Sequence, residues 1–188
     1  MPGALYRSPS RAARQINEIA SVVGDQSRHI VLCGFGRVGR QIAALFEQTK
    51  TPFVASDLHA ETVKDVWEDG RRVFYGDASR IEVLRALRVS DAAAVVISFN
   101  DIPAARRTVH NVRQIDREVP VLIRSSDDAF LAPLLAAGAT EVVPETFETS
   151  LTLAGRVLEA AGVPKTSIDT QLATIRAERY HRIRSLKK

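Results

Sequence analysis

Residues 34 to 39 read Gly-Phe-Gly-Arg-Val-Gly, and an acid, Asp57, stands 21 positions beyond the middle glycine. Glycines at this spacing suit the handling of a phosphate. Gly34 permits a tight turn, Gly36 lets the backbone approach the phosphate, and Gly39 lets a following helix pack closely on a sheet. The N-terminus of that helix offers unpaired N–H groups and the positive end of its dipole. The Asp57 carboxylate would accept hydrogen bonds from both ribose hydroxyls, and its charge would repel a 2′-phosphate.

This chemistry needs a strand before the turn and a helix after it. Ile30 to Cys33 form a short apolar run, and Val38, Ile42, Leu45 and Phe46 recur at helical spacing behind the glycines. A second apolar run over residues 53–55 ends in Asp57. Strand, glycine turn, helix, strand and acid follow in the order of a dinucleotide-binding βαβ unit.

The pattern continues along the chain. A short helix over 61–68 is closed by Gly70, and a third strand covers 72–75. Ser79 is placed to cap a helix carrying Ile81, Leu84, Ala86 and Leu87. Residues 92–98 (AAAVVIS) read as a fully buried central strand. A helix follows Asp101, a fifth strand covers 121–124, and a sixth centres on Val142 and Val143. Between the last two strands, Pro133 must kink a helix over 128–137 or displace its start. Six alternations give an α/β fold over 29–145: a Rossmann-like, doubly wound, six-stranded parallel sheet in the order 3-2-1-4-5-6.

Two segments flank it. Residues 1–28 suggest a linker helix over 11–23, ended by Gly24 and poorly fixed by the domain itself. Residues 146–188 suggest two helices. The first, over 146–161, carries one apolar row of Phe147, Leu151, Ala154, Leu158 and Ala161, and a second of Leu153, Val157 and Ala160. Two apolar faces need two partners, the helix's own sheet and something else. The last helix carries Ile168, Leu172, Ile175, Ile183 and Leu186. The pair is too small for a catalytic domain and sufficient for a dimerisation arm.

Composition sets the outer limits. The 188 residues are 45% hydrophobic and 26% charged, an ordinary globular balance. No apolar run approaches the roughly 20 residues of a membrane-spanning helix. The one cysteine, Cys33, fits a reducing cytosol and reads as a buried, inert thiol. The isoelectric point of about 9.6 comes from the tail. Residues 165–188 hold seven basic and two acidic side chains, so +5 of the overall +4 lies there and the body sums to −1. The four histidines show no metal-ligand spacing, and no metal site is expected.

With these residues laid out, the chain resembles the RCK (TrkA-N type) nucleotide-binding regulators, and most closely the C-terminal domain of Kef-type potassium/proton antiporters. The resemblance runs through GFGRVGRQIA, Asp57, RRVFYGDASRIEVLRAL, VPVLIRSSD and AGATEVVPETFETSLTLAGRVLEAAGV. It implies a bound adenine nucleotide, AMP or NAD(H), acting without turnover. It also implies a homodimer through a crossover helix at 146–161, and a membrane-embedded antiporter as partner at the inner face of the cell membrane. By motif position, Gly34, Phe35, Gly36, Arg37, Val38 and Gly39 would border the phosphates. Asp57 would hold the ribose with Leu58 near the adenine, and Asp77 and Ala78 would receive the adenine edge. Ser98 and Arg124 would face the same crevice. The position two beyond the acid, often Asp or Asn in the family, is His59. The membrane half of such antiporters has no counterpart here, so the chain reads as an excised domain or a separate subunit.

Several positions carry a blander reading as well. Asp77 also suits a helix cap, Glu145 a solvated or capping carboxylate, and Arg124 a surface pair with Asp127 or Asp128. Two other functions are less favoured. A small NAD-dependent oxidoreductase would need a proton donor, and no Tyr-x-x-x-Lys pair occurs. A redox-sensing nucleic-acid-binding regulator rests on the basic tail alone, without a helix-turn-helix, and nucleic acid is not an expected partner.

Overall fold

Short runs of Val, Ile, Leu and Phe make the strands, because parallel strands covered on both faces need apolar side chains on both. The computed structural model describes residues 16–17, 19–21, 23–24, 28–67 and 72–187. The first half of the fold contains β1 (Ile30–Cys33), α1 (Arg37–Gln48), β2 (Phe53–Asp57), α2 (Ala60–Trp67), β3 (Val73–Tyr75) and α3 (Ile81–Ala86). The second contains β4 (Ala94–Ile97), α4 (Ile102–Ile115), β5 (Val121–Ser125), α5 (Leu131–Ala136) and β6 (Glu141–Pro144). Two longer helices close the chain, α6 (Glu145–Ala160) and α7 (Lys165–Ser185). The strands form one six-stranded sheet in the expected order, β3-β2-β1-β4-β5-β6, and every neighbouring pair is parallel.

Alternation along each strand divides the core in two. Val31, Cys33, Val95, Ile97, Val121 and Ile123 point to the face covered by α3, α4 and α5, where the larger core lies. Leu32, Ala55 and Val73 point to the other face and meet Phe35, Ala43 and Val63 from α1, α2 and the glycine turn. That second layer stops short. Over β4 to β6 the same face is open, forming a groove of about 400 Å³ between α1 and α6, floored by Val96, Leu122 and Val143. The β4 strand is therefore not fully buried as its apolar run suggests, because Ala94 and Val96 are only half-covered. On α1 the buried positions are Gly39 and Ala43, and Leu45 is exposed.

Pro133 acts by displacing a helix start. Residues 128–130 form a 3₁₀ turn, α5 begins at Leu131, and the proline falls in its first turn, where a missing N–H leaves nothing unpaired. Asp101 caps α4 by accepting the Ala104 N–H at 2.8 Å. Ser79 does not cap α3. The helix starts one residue later, and Asp77 accepts the Ser79 N–H at 2.8 Å instead.

Both flanking segments are docked. Ile19 and Val23, on the helical stretch before β1, are buried in the main core, so that segment is fixed by the domain where a loose linker was expected. The Arg88 guanidinium donates to the Gly24 carbonyl at 2.5 Å and holds its end. Residues 1–15, where that helix was expected to start, and Gly70 lie outside the described residues. At the other end α7 runs antiparallel to α6. A Cβ at Gly155 would lie 2.9 Å from Leu172 Cδ1, so glycine allows the two helices to touch. Arg176 pairs with Glu148 at 2.9 Å, Arg179 pairs with Asp128 and covers the Phe147 ring, and Ile183 enters the main core. The buried seam of α6 is thus Leu151 and Gly155, facing α7. The expected first row is corrected accordingly: Ala154, Leu158 and Ala161 are exposed.

Candidate functional site

The turn after β1 is built around its glycines. Gly34 has φ +97°, a left-handed conformation that side chains disfavour, and a Cβ there would sit 2.8 Å from Ser98 Oγ. A Cβ at Gly39 would fall 2.2 Å from the Gly34 carbonyl oxygen, so α1 crosses directly over the turn. Gly36 is the opposite case. Nothing lies within 4 Å of its missing side chain, which leaves open space over the first turn of α1. No side chain caps that helix and no acid stands in its first turn, so its N–H groups and positive dipole end face outward.

Asp57 ends β2 beneath this turn and is 7% exposed. Its Oδ2 accepts the Phe35 N–H at 2.5 Å, and its Oδ1 accepts the His59 N–H at 2.8 Å and His59 Nδ1 at 2.9 Å. The acid therefore braces the glycine turn as well as facing the crevice. Leu58 is exposed at the lip, while the Phe35 and Ala78 side chains are turned into the core. Asp77 is half-buried, with Oδ1 committed to the Ser79 N–H.

Ser98 and Arg124 are less open than their positions suggest. The Ser98 hydroxyl donates to the Gly34 carbonyl at 2.9 Å, and its own carbonyl accepts Arg124 Nε at 2.5 Å. Arg124 pairs with Glu145, the first residue of α6. Asp127 and Asp128 are not its partners: Asp127 accepts the Ala129 N–H and Asp128 meets Arg179. A continuous set of contacts thus leads from the glycine turn through Ser98, Arg124 and Glu145 to α6. Sequence reasoning missed this set, because bonded partners in it lie up to 64 residues apart. The His59 bond to Asp57 had a local signal, since an acid often accepts from the backbone two residues on.

Cys33 is buried beside the turn, and burial pushes its thiol up to about 12. It stays protonated and inert through the neutral range. Among the described residues no group of His, Cys, Asp and Glu gathers in a way that would hold a metal ion.

The glycine turn, the acid at the end of β2 and the loops after β3 and β4 meet at the carboxyl edge of the sheet, where the paired strands β1 and β4 lead into helices on opposite faces. That is the ligand-binding edge of open α/β sheets. A family model, TrkA-N domain, matches residues 30–145. The chain belongs to the TrkA-N domain family. The putative K(+) efflux antiporter KefB of Alkalimonas amylolytica is 34% identical to it over 157 residues, covering 84% of this chain and 24% of that protein. This TrkA-N chain accordingly spans about a quarter or less of the length of such relatives. Among solved structures, the Kef CTD of Shewanella denitrificans in its AMP-bound form gives a TM-score of 0.69 at 22% identity, over 85% of this chain and 96% of that one. The GsuK channel bound to NAD gives 0.61 at 24% identity, over 71% and 23%. At these identities the likenesses establish the fold of the TrkA-N domain.

Proposed function

We propose that this TrkA-N domain is the cytoplasmic regulatory part of a monovalent cation (potassium)/proton antiporter, and that it binds an adenine nucleotide, AMP or NAD(H), without turning it over. The observation that carries this reading is the pairing of Asp57 with the open space over Gly36. A carboxylate fixed to the turn by the Phe35 N–H holds a ribose at a set distance from amides that receive phosphate. Two related structures support the ligand class, since one holds AMP and the other NAD. Potassium efflux antiporters among the relatives support the partner. Gly34, Gly36, Arg37, Val38 and Gly39 would border the phosphates through their backbone, Asp57 would take the ribose, and Leu58 and Asp77 would flank the base.

Calorimetric titration of AMP, ATP, NAD⁺ and NADH, with mass spectrometry of any nucleotide released from purified protein, tests the reading. Asp57→Ala removes the acceptor of two charged hydrogen bonds of about 1.5–3 kcal/mol each, so affinity should fall by roughly a hundredfold or more. Failure of every adenine nucleotide to bind the unaltered chain would sink the proposal.

Signalling would run through a homodimer. Leu153 and Val157 on α6 are 64% and 59% exposed and lie one turn apart, beside the apolar groove between α1 and α6. A second copy's α6 laid in that groove covers both surfaces. The Ser98, Arg124 and Glu145 contacts would then carry a shift of the glycine turn into the dimer helix. A nucleotide can bias the dimer only by its difference in affinity for the two arrangements. Sedimentation velocity should find a dimer for the unaltered chain and a monomer for Leu153→Asp. A monomeric unaltered chain at about 10 μM would remove the crossover assignment, given that stable homodimers bury well over 1,000 Å².

A further inference from the structure

We infer that His59 is a built-in competitor for the ribose seat on Asp57, and that it sets how tightly the crevice takes a nucleoside with two free vicinal hydroxyls. The inference rests on the reading of Asp57 as the ribose acceptor. A carboxylate only accepts hydrogen bonds, so the 2.9 Å contact fixes the hydrogen on His59 Nδ1. Three donors already converge on Asp57: the Phe35 N–H on Oδ2, and the His59 N–H and Nδ1–H on Oδ1. A carboxylate offers about four lone-pair sites, so roughly one remains.

A ribose presenting both hydroxyls needs two. One occupant has to leave, and the three are unequal. Phe35 is fully buried and its N–H is fixed by the turn. The His59 N–H is part of the backbone that leads out of β2. The imidazole is 81% exposed and swings on two side-chain torsions. It alone can depart without moving the chain. With it gone, Oδ1 and Oδ2 each have room for one hydroxyl, while both backbone bonds that orient the carboxylate persist. His59 therefore mimics half of the ligand in the empty crevice. A ligand with a single ribose hydroxyl uses the one remaining site and leaves the imidazole in place.

The test is calorimetric titration of AMP, NAD⁺ and 3′-deoxy-AMP into the full chain and its His59→Ala variant. AMP and NAD⁺ should bind the variant about three- to tenfold more tightly, the worth of one solvent-exposed hydrogen bond to a carboxylate released from competition. 3′-Deoxy-AMP should bind both proteins alike. Unchanged or weaker AMP binding by His59→Ala overturns the inference, the weaker case marking His59 as a ribose contact. An equal gain for 3′-deoxy-AMP overturns it too, since that outcome reports a general widening of the crevice. Binding by neither protein removes the Asp57 reading and His59 with it, whereas equal binding by both removes the competitor alone.

Discussion

Gly39→Ala is expected to destabilise the chain by about 3 kcal/mol and to weaken nucleotide binding with it. On helix propensity alone, alanine in place of glycine would gain up to about 1 kcal/mol. The contact reverses that sign. The added methyl would lie 2.2 Å from the Gly34 carbonyl oxygen and 3.0 Å from Ser98 Oγ, and the first of these is backbone that cannot turn aside. Relief requires α1 to lift from the turn or Gly34 to leave its positive φ. Either movement strips the Asp57 bond from Phe35 and opens the packing of Ala43 on the sheet. For a domain of this size the loss corresponds to a melting temperature lower by about 10 °C. Thermal melts followed by circular dichroism check this, with Gly36→Ala as the comparison. That methyl enters open space, so its melting temperature should stay close to that of the unaltered chain. Equal melting temperatures for all three proteins would mean that α1 does not cross the turn as described.

Ile183→Ala is expected to cost about 3 kcal/mol, in the range for a buried isoleucine that leaves a cavity. The side chain is 2% exposed, near the far end of a 21-residue helix, and fills a place in the main core. Its loss also loosens the far end of α7 on the body, where the Arg179 pair with Asp128 and the Lys187 bond to the Thr140 carbonyl remain, while Ile168 and Leu172 still hold the helix to α6. Trypsin, which cuts after the arginines that line α7, reports the loosening directly. Unfolding free energies from urea titration should fall for Ile183→Ala and stay within about 0.5 kcal/mol of the unaltered chain for Ile175→Ala, a residue 42% exposed on the same helix. Matching midpoints for the two variants would show that α7 is not held through the core.

How much of this was legible beforehand follows from the range of each interaction. Strand order, the glycine turn and Asp57 were readable because their signals are local: apolar runs of four or five residues, glycines at fixed spacing, an acid at a strand end. Pro133 was readable as a constraint, and only the structure distinguishes a displaced start from a kink. Packing partners were not. Val96 and Leu45 look like core by type, yet Val96 is only half-covered and Leu45 is exposed, because no helix among the described residues lies over the groove between α1 and α6. Arg124 had two acids nearby in sequence and chose Glu145, 21 residues away, since β5 and β6 are neighbours in parallel register. The basicity of residues 165–188 was readable from composition and its partners were not: Arg176 and Arg179 are matched to Glu148 and Asp128, the latter 51 residues earlier. Sequence spacing carries no record of such pairs.

The burial of Ile19 and Val23 ahead of the family segment, and of Ile183 behind it, bears on how the domain can be moved. Residues 30–145 contain the whole sheet and the whole crevice, and on that count look like a cassette ready for transplantation into another protein. Their core is closed by side chains from outside those limits. A graft cut at the family boundaries would arrive with its main core bared where Ile19, Val23 and Ile183 had closed it. The portable unit is the sheet together with the helical segments that brace it on both sides, and it is larger than the stretch the family model matches.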